Sequence, residues 1–495
     1  MDNAANISHP IRTSVLILGA GPGGICTGVK LQQVGFDSFL ILEREREAGG
    51  TWVNNRYPGL SCDVPSALYS FTFDKKPDWT RAYAQQPEIK SYMQSCVDKY
   101  DLTRHIVFGT NVRQAVWDDA NAEWSLHTTD GRVFVAPIFI SALGMFNEVR
   151  WPEIAGIDDF SGEKLHTAAW PASADLTGKR VAVIGTAATA VQLMPKIAPL
   201  VKHLTVLQRT PNWIFPKDDP IYSPSELAER RADPDRARTR WDDQYALWES
   251  LITFENQEMI EALRGQAMAL LEAVENPEVR EKLRPTTILG SQRPLFSSDY
   301  YPLFNRSNVE LVTAPIERIT KTGVQCADGR AIDADALVFA TGYAANKFLS
   351  VIDVRGRGGE SLAQAWSDGP QAYLGMTVAG FPNLFMLYGP NTNNGSILYM
   401  LELQARYIVD KLVRLESSGA DSIEVRGEVM DRYNAELQAH LRTTVWRNEG
   451  SKYYRSDSGR IVTQWPWTMA MFKARLEAPD PEAFVMRSSS SEVGA

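Results

Sequence analysis

The sequence predicts an α/β fold of two Rossmann-like dinucleotide-binding domains with a helical insertion. Three observations predict it. GAGPGG, residues 19–24, follows the apolar run Val15–Leu18 and opens a helix-forming segment. A second turn of the same spacing, GTAATA at residues 185–190, follows the apolar run of RVAVI. Residues 217–290 then become rich in Glu, Arg, Ala and Leu with a helical period, as in MALLEAVENPEVREKL.

Whole-chain properties narrow the class. A length of 495 residues exceeds one ordinary core and implies two or three domains. Hydrophobic content of 44% and charged content of 22% belong to a globular chain. A net charge of -9 with no basic tract excludes nonspecific nucleic-acid and membrane-surface binding. Cys26, Cys62, Cys96 and Cys326 stand alone; without a C-x-x-C pair neither a metal site nor a redox dithiol is expected. Isolated thiols fit a reducing, cytoplasmic setting. The N-terminal stretch lacks an apolar signal core, and VLIL is far short of the roughly 20 residues that span a bilayer. The expected assembly is a monomer or weak homo-oligomer.

In the first unit, Gly19 permits the tight turn, Gly21 lets backbone approach a pyrophosphate, and Gly24 lets helix and strand pack closely. The helix N-terminus presents its positive end to the phosphates. Glu43 ends the next apolar strand, 19 residues after Gly24, where its carboxylate can accept both ribose hydroxyls. An acid there favours an unphosphorylated ribose, hence FAD or NAD. GGTWVNNRYPGLSCD, residues 49–63, has neither helical nor strand period and reads as an irregular loop suited to a planar ring system. Residues 104–147 read as strands HIVFGTNVRQAVWD, EWSLHTT and RVFVAPIFISALG, with turns at Asn121 and Asp130-Gly131.

In the second unit, Gly185, Thr186, Ala187 and Ala190 form the nucleotide turn, with alanine at the second and third glycine positions. The strand after its helix ends in Arg209 and Thr210 rather than an acid. A guanidinium and a hydroxyl there suit a 2'-phosphate, so this unit reads as an NADPH site.

Two phrases resemble those of type I Baeyer–Villiger monooxygenases. Residues 49–63 match G-G-x-W-x4-Y-P-G-x3-D, and residues 160–171, FSGEKLHTAAWP, match F-x-G-x3-H-x3-W-P, at every fixed position. The resemblance covers about residues 12–475. It implies FAD in the first unit, with Thr51, Trp52, Asp63, Tyr69, Val112 and Met400 about it, and NADPH in the second. It places Arg293, before Asp299-Tyr300-Tyr301, over the flavin, with Asp63 orienting it. A guanidinium is permanently charged, so it can keep a C4a-peroxyflavin deprotonated and stabilise the oxyanion of its adduct. The implied reaction takes a ketone and dioxygen and inserts one oxygen beside the carbonyl, giving an ester or lactone. Gly395, Ser396 and Ile397 match the substrate-lining loop, and Tyr453 stands over the nicotinamide ribose where relatives often carry Trp. Gln292 replaces a frequent Lys, so 2'-phosphate recognition rests mostly on Arg209. His166 is expected to couple the domains rather than react. The alternative is a heteroatom oxygenase acting on sulfur or nitrogen.

The expected division is 1–150, FAD-binding domain, first part; 151–215, NADPH-binding domain, first part; 216–290, helical insertion; 291–338, NADPH-binding domain, second part; and 339–495, FAD-binding domain, second part. The last dozen residues are expected to be disordered.

Overall fold

Val15–Leu18 forms strand β1, all four side chains buried. Helix α1, Pro22–Gln33, follows with proline in its first turn, where a missing N–H is harmless. Strands β2 (Phe39–Leu42), β3 (Ile106–Val107) and β4 (Ile138–Ser141) complete the first half of the chain's parallel core. The chain then crosses to a second unit. There β5 (Glu163–His166), β6 (Arg180–Ile184), helix α2 (Ala188–Ile197) and β7 (His203–Leu207) repeat the plan. The structure is a computed structural model, and it describes residues 9–448 and 453–488.

After β7 come four helices, α3 (Pro224–Ala232), α4 (Pro234–Leu251), α5 (Gln257–Leu271) and α6 (Pro277–Leu283). Strands β8 (Val309–Val312) and β9 (Ala336–Phe339) finish the second unit. The chain returns to the first with β10 (Leu384–Met386), then adds helices α7 (Ile397–Ser418), α8 (Gly427–Leu441) and α9 (Met469–Glu477).

The two main sheets share the order of four strands and differ in the fifth, an edge strand made last in the first sheet and first in the second. The first runs β10-β4-β1-β2-β3 and the second β8-β7-β6-β9-β5, all parallel. In each, the strand before the glycine turn lies between the strand that follows its helix and one that returns much later. That order reverses the winding at β1 and β6, and the crevice beyond their carboxyl ends is where such sheets bind ligands. Both crossings between the units leave from those ends, after Ser141 and after Phe339.

Three expectations change. RVFVAPIFISALG is two strands, not one: Val133–Ala136 joins an antiparallel meander, and β4 joins the parallel sheet. Pro137 lies between them and has no N–H for a ladder. HIVFGTNVRQAVWD likewise divides, with Ile106–Val107 in the parallel sheet and Val112–Asp118 in the meander. Of the last dozen residues, Phe484–Arg487 pairs antiparallel with Ser422–Val425; residues 489–495 lie outside the described residues.

The insertion packs on both units. Trp213, Phe215, Ala267 and Leu289 bury its base against the second. On the first, Trp241 and Tyr245 meet the Tyr399 ring at 5.3 and 5.4 Å, and Arg231 pairs with Asp78 at 2.7 Å. Among the described residues, no helix is long and apolar enough to cross a membrane.

Candidate active site

The first glycine turn is built by close approach. A Cβ on Gly24 would stand 1.9 Å from the Gly19 carbonyl oxygen, so only glycine lets α1 pack this tightly on β1. A Cβ on Gly21 would meet the Gly50 Cα at 3.4 Å, because Gly49 docks on the turn through its N–H to the Ala20 carbonyl, 2.8 Å. The cradle at the α1 N-terminus is therefore narrow, amide-lined and free of side chains, which fits a pyrophosphate. Glu43 does more than face a ribose. Its Oε2 accepts the Ala20 N–H at 2.6 Å and its Oε1 the Glu45 N–H at 2.8 Å. Burial raises its pKa, and those two N–H donors oppose the rise. Each oxygen keeps a second lone pair for a hydroxyl.

Residues 49–63 wrap between the units. Thr51 opens a helical turn, Thr51–Asn54, and its carbonyl accepts from the Asn55 side chain at 3.0 Å. The Trp52 indole donates to the Tyr69 hydroxyl at 3.0 Å, the two rings edge to face and both buried. Tyr57 sits in the second unit's core. A Cβ on Gly59 would lie 2.5 Å from the Gln192 carbonyl of α2, which explains the glycine of Y-P-G. Val112 is buried at the start of the meander, and Met400 is fully buried in α7.

Asp63 ends this loop and gathers partners from three segments. Its Oδ1 accepts from the Gln192 amide at 3.0 Å and faces the Lys217 ammonium at 3.4 Å. Its Oδ2 faces Arg293 Nη2, also at 3.4 Å. Asp63 is 8% exposed and Arg293 49%, so the carboxylate is sealed while the guanidinium remains open on one side. Desolvation works against the Arg293 charge, but Asp63, then the phenols of Tyr453, Tyr388 and Tyr454, outweigh it and raise the pKa above the ordinary arginine value. Burial raises the Tyr453 pKa; the Arg293 charge and a hydrogen bond from its guanidinium oppose that rise. Tyr453 is thus beside Arg293; part of its loop, residues 449–452, lies outside the described residues.

The second turn copies the first with different atoms. Gly21 has φ −76° and ψ −171°, and Ala187 has φ −85° and ψ −168°. Backbone angle therefore does not require glycine at 21. Ala190 is fully buried, so α2 holds a methyl where α1 has none. Thr186 donates to the Thr210 carbonyl at 3.3 Å, and the Asn212 amide donates to the Thr186 carbonyl at 2.9 Å, tying Gly185's turn to the segment after β7. Arg209 is exposed there and Thr210 half-buried.

His166 ends β5 and is only 2% exposed. Its Nδ1 accepts the Ala168 N–H at 3.0 Å, which leaves Nε2 to donate to the Thr341 hydroxyl, 3.1 Å, and the Arg150 carbonyl, 3.3 Å. Thr341 in turn donates to that same carbonyl at 2.5 Å. Arg150 and Thr341 lie on the two crossings, so His166 pins both. Burial lowers its pKa. Trp170 is buried in the second core.

In the loop before α7, Gly395 is left-handed at φ +61° against Met469. Ser396 is fully buried and its hydroxyl donates to the Leu68 carbonyl at 3.1 Å, so it anchors the loop. Ile397 is half-buried. Asn394 donates to the Ile252 carbonyl of the insertion at 3.2 Å. Sequence reasoning missed Lys217 and Gln192. Lys217 directly follows TPNWIFP, and Gln192 lies one turn into α2, but neither position carries a signal of its own.

Residues 16–234 match the family model described as pyridine nucleotide-disulphide oxidoreductase. A Baeyer–Villiger monooxygenase of Pseudomonas aeruginosa is 39% identical over 95% of this chain and 90% of its own. The chain belongs to the Baeyer–Villiger monooxygenases. An FAD-binding monooxygenase of Aspergillus niger is 35% identical over 97% of this chain and 83% of its own. A cyclohexanone monooxygenase from Rhodococcus sp. Phi1, solved with NADP+, superposes with a TM-score of 0.87 at 30% identity, covering 97% of this chain and 100% of that one. Membership makes this chain an FAD-dependent oxidoreductase that draws on NADPH. The family model's disulphide chemistry has no counterpart, since all four cysteines are free and buried.

Proposed function

We propose that the chain oxidises a ketone to an ester or lactone at Arg293, with dioxygen and NADPH consumed and NADP+ and water released. The observation that supports this reading is the Arg293–Asp63 pair at the junction of the two units. The flavin, when bound, supplies the acceptor for hydride and the point at which dioxygen is activated. The cradle of Gly19, Gly21 and Gly24, with Glu43, Thr51, Trp52, Tyr69, Val112 and Met400, holds it. Gly185, Thr186, Ala187, Ala190, Arg209, Thr210 and Tyr453 hold the nicotinamide cofactor. Arg293 keeps a charge beside the reacting oxygen that it cannot lose as a proton, and Asp63 fixes its orientation. Gly395 and Ile397 line the ketone pocket, with Ser396 as their anchor.

The division into an interrupted FAD domain, an NADPH domain within it and an insertion from residue 216 to 290 belongs to the same reading. So does a cytoplasmic monomer or weak homo-oligomer.

Arg293→Ala tests it. Flavin reduction by NADPH should persist, while ester formation falls about 10²–10³-fold, the effect of removing a preorganised oxyanion partner. Unchanged ester formation would sink the assignment. Sulfide oxidation assayed on the same variant separates the heteroatom alternative, which has no use for a permanent cation here.

A further inference from the structure

Lys217 follows Pro216, just beyond the paired strands Ile214–Phe215 and Leu295–Phe296, where the second unit passes into the insertion. Its side chain is nearly sealed, at 9% exposure. It donates to the Ser61 hydroxyl at 2.8 Å and the Cys62 carbonyl at 2.9 Å, and faces Asp63 Oδ1 at 3.4 Å. The Tyr83 ring lies 4.9 Å away. All three ammonium donors are thus directed at consecutive residues of one loop.

The consequence falls on Asp63. Its Oδ1 already holds the Gln192 amide at 3.0 Å, so Lys217 is the second donor on that oxygen. Only Oδ2 turns to Arg293, and at 3.4 Å. A free carboxylate beside an arginine takes the bidentate fork, with two short bonds of about 2.7–2.9 Å, and neutralises it. Here one carboxylate is shared by two cations, and the cluster is left with a net positive charge. The surplus sits on Arg293, the half-exposed member.

Resting on the reading above, we propose that Lys217 is a positioning residue. It holds Asp63 by one oxygen, so that Arg293 meets only the other and keeps its charge for the reacting oxygen. Because Lys217 leaves from the second unit and its targets lie in the first, it also ties this charge balance to how the units are seated.

The test compares holoenzymes carrying Lys217→Met, Lys217→Arg, Asp63→Asn and the Lys217→Met/Asp63→Asn pair. Lys217→Met should lower kcat for ester formation at least tenfold and raise the share of NADPH that yields hydrogen peroxide. KM for NADPH should stay within twofold. The flavin midpoint potential, read by spectroelectrochemistry, should fall, since a positive charge near the ring favours the reduced form. Lys217→Arg should restore most of both, and in the Asp63→Asn background loss of Lys217 should add little. Wild-type coupling and potential in Lys217→Met would overturn the proposal. So would equal losses of flavin and thermal stability in Lys217→Met and Lys217→Arg, which would mark a loop anchor only. If wild type gives no ester from any ketone, the functional reading fails, and the midpoint potential still decides the role of Lys217.

Discussion

Arg209 shows how much a single position can settle. It lies as far beyond Ala190 as Glu43 lies beyond Gly24, with Gln208 between it and the end of β7, so one carboxylate and one guanidinium distinguish two similar units. Both were legible because the spacing from a glycine turn is local. A charge-assisted hydrogen bond contributes about 1.5–3 kcal/mol, so Arg209→Ala should raise KM for NADPH roughly 10–100-fold and leave KM for NADH nearly unchanged. Equal effects on both cofactors would remove Arg209 from the 2'-phosphate. Ser396 shows the limit of such reading. Its place in the sequence suggests a pocket, whereas its hydroxyl is committed to the Leu68 carbonyl, 328 residues away.

At the scale of elements, the two strand–turn–helix units differ in what their glycines do. Gly24 sits under the Gly19 carbonyl, and a methyl there would clash with backbone that cannot swing aside. Gly24→Ala should therefore force α1 off β1 and strip the flavin, seen as loss of bound chromophore after desalting. Ala190→Gly, at the matching position, should keep KM for NADPH within twofold, because α2 is already seated with a methyl. The nearly equal backbone angles at Gly21 and Ala187 show that the second position of the turn accepts alanine as far as the backbone is concerned. The sequence showed both turns clearly. It did not show that Pro137 parts two strands of different sheets, since both are apolar runs of similar length.

For the whole molecule, His166 is one of the ties between the units. The neutral ring accepts at Nδ1 and donates at Nε2, and it fastens both crossings at once. Its folded pKa lies below the unfolded value of about 6.5. Between those two values the unfolded chain binds the extra proton, so stability is full above about pH 6.5 and is lost as pH falls toward the folded pKa. Urea unfolding from pH 7.5 to 5 should show that decline, and His166→Gln should flatten it while starting from lower stability. An identical slope in the variant would assign the decline elsewhere.

The sequence by itself determined the two glycine turns with their strands and helices, and the helical character of residues 217–290. Each is a local pattern, set by residues within one turn, one strand or one helical period. Tertiary structure alone decided that Asp63, Gln192, Lys217 and Arg293 share one cluster. Those residues come from a loop, a helix and the two edges of the insertion. What unites them is the packing of two sheets and four helices, and hydrophobic period and turn spacing say nothing about which polar groups such packing brings within hydrogen-bonding reach.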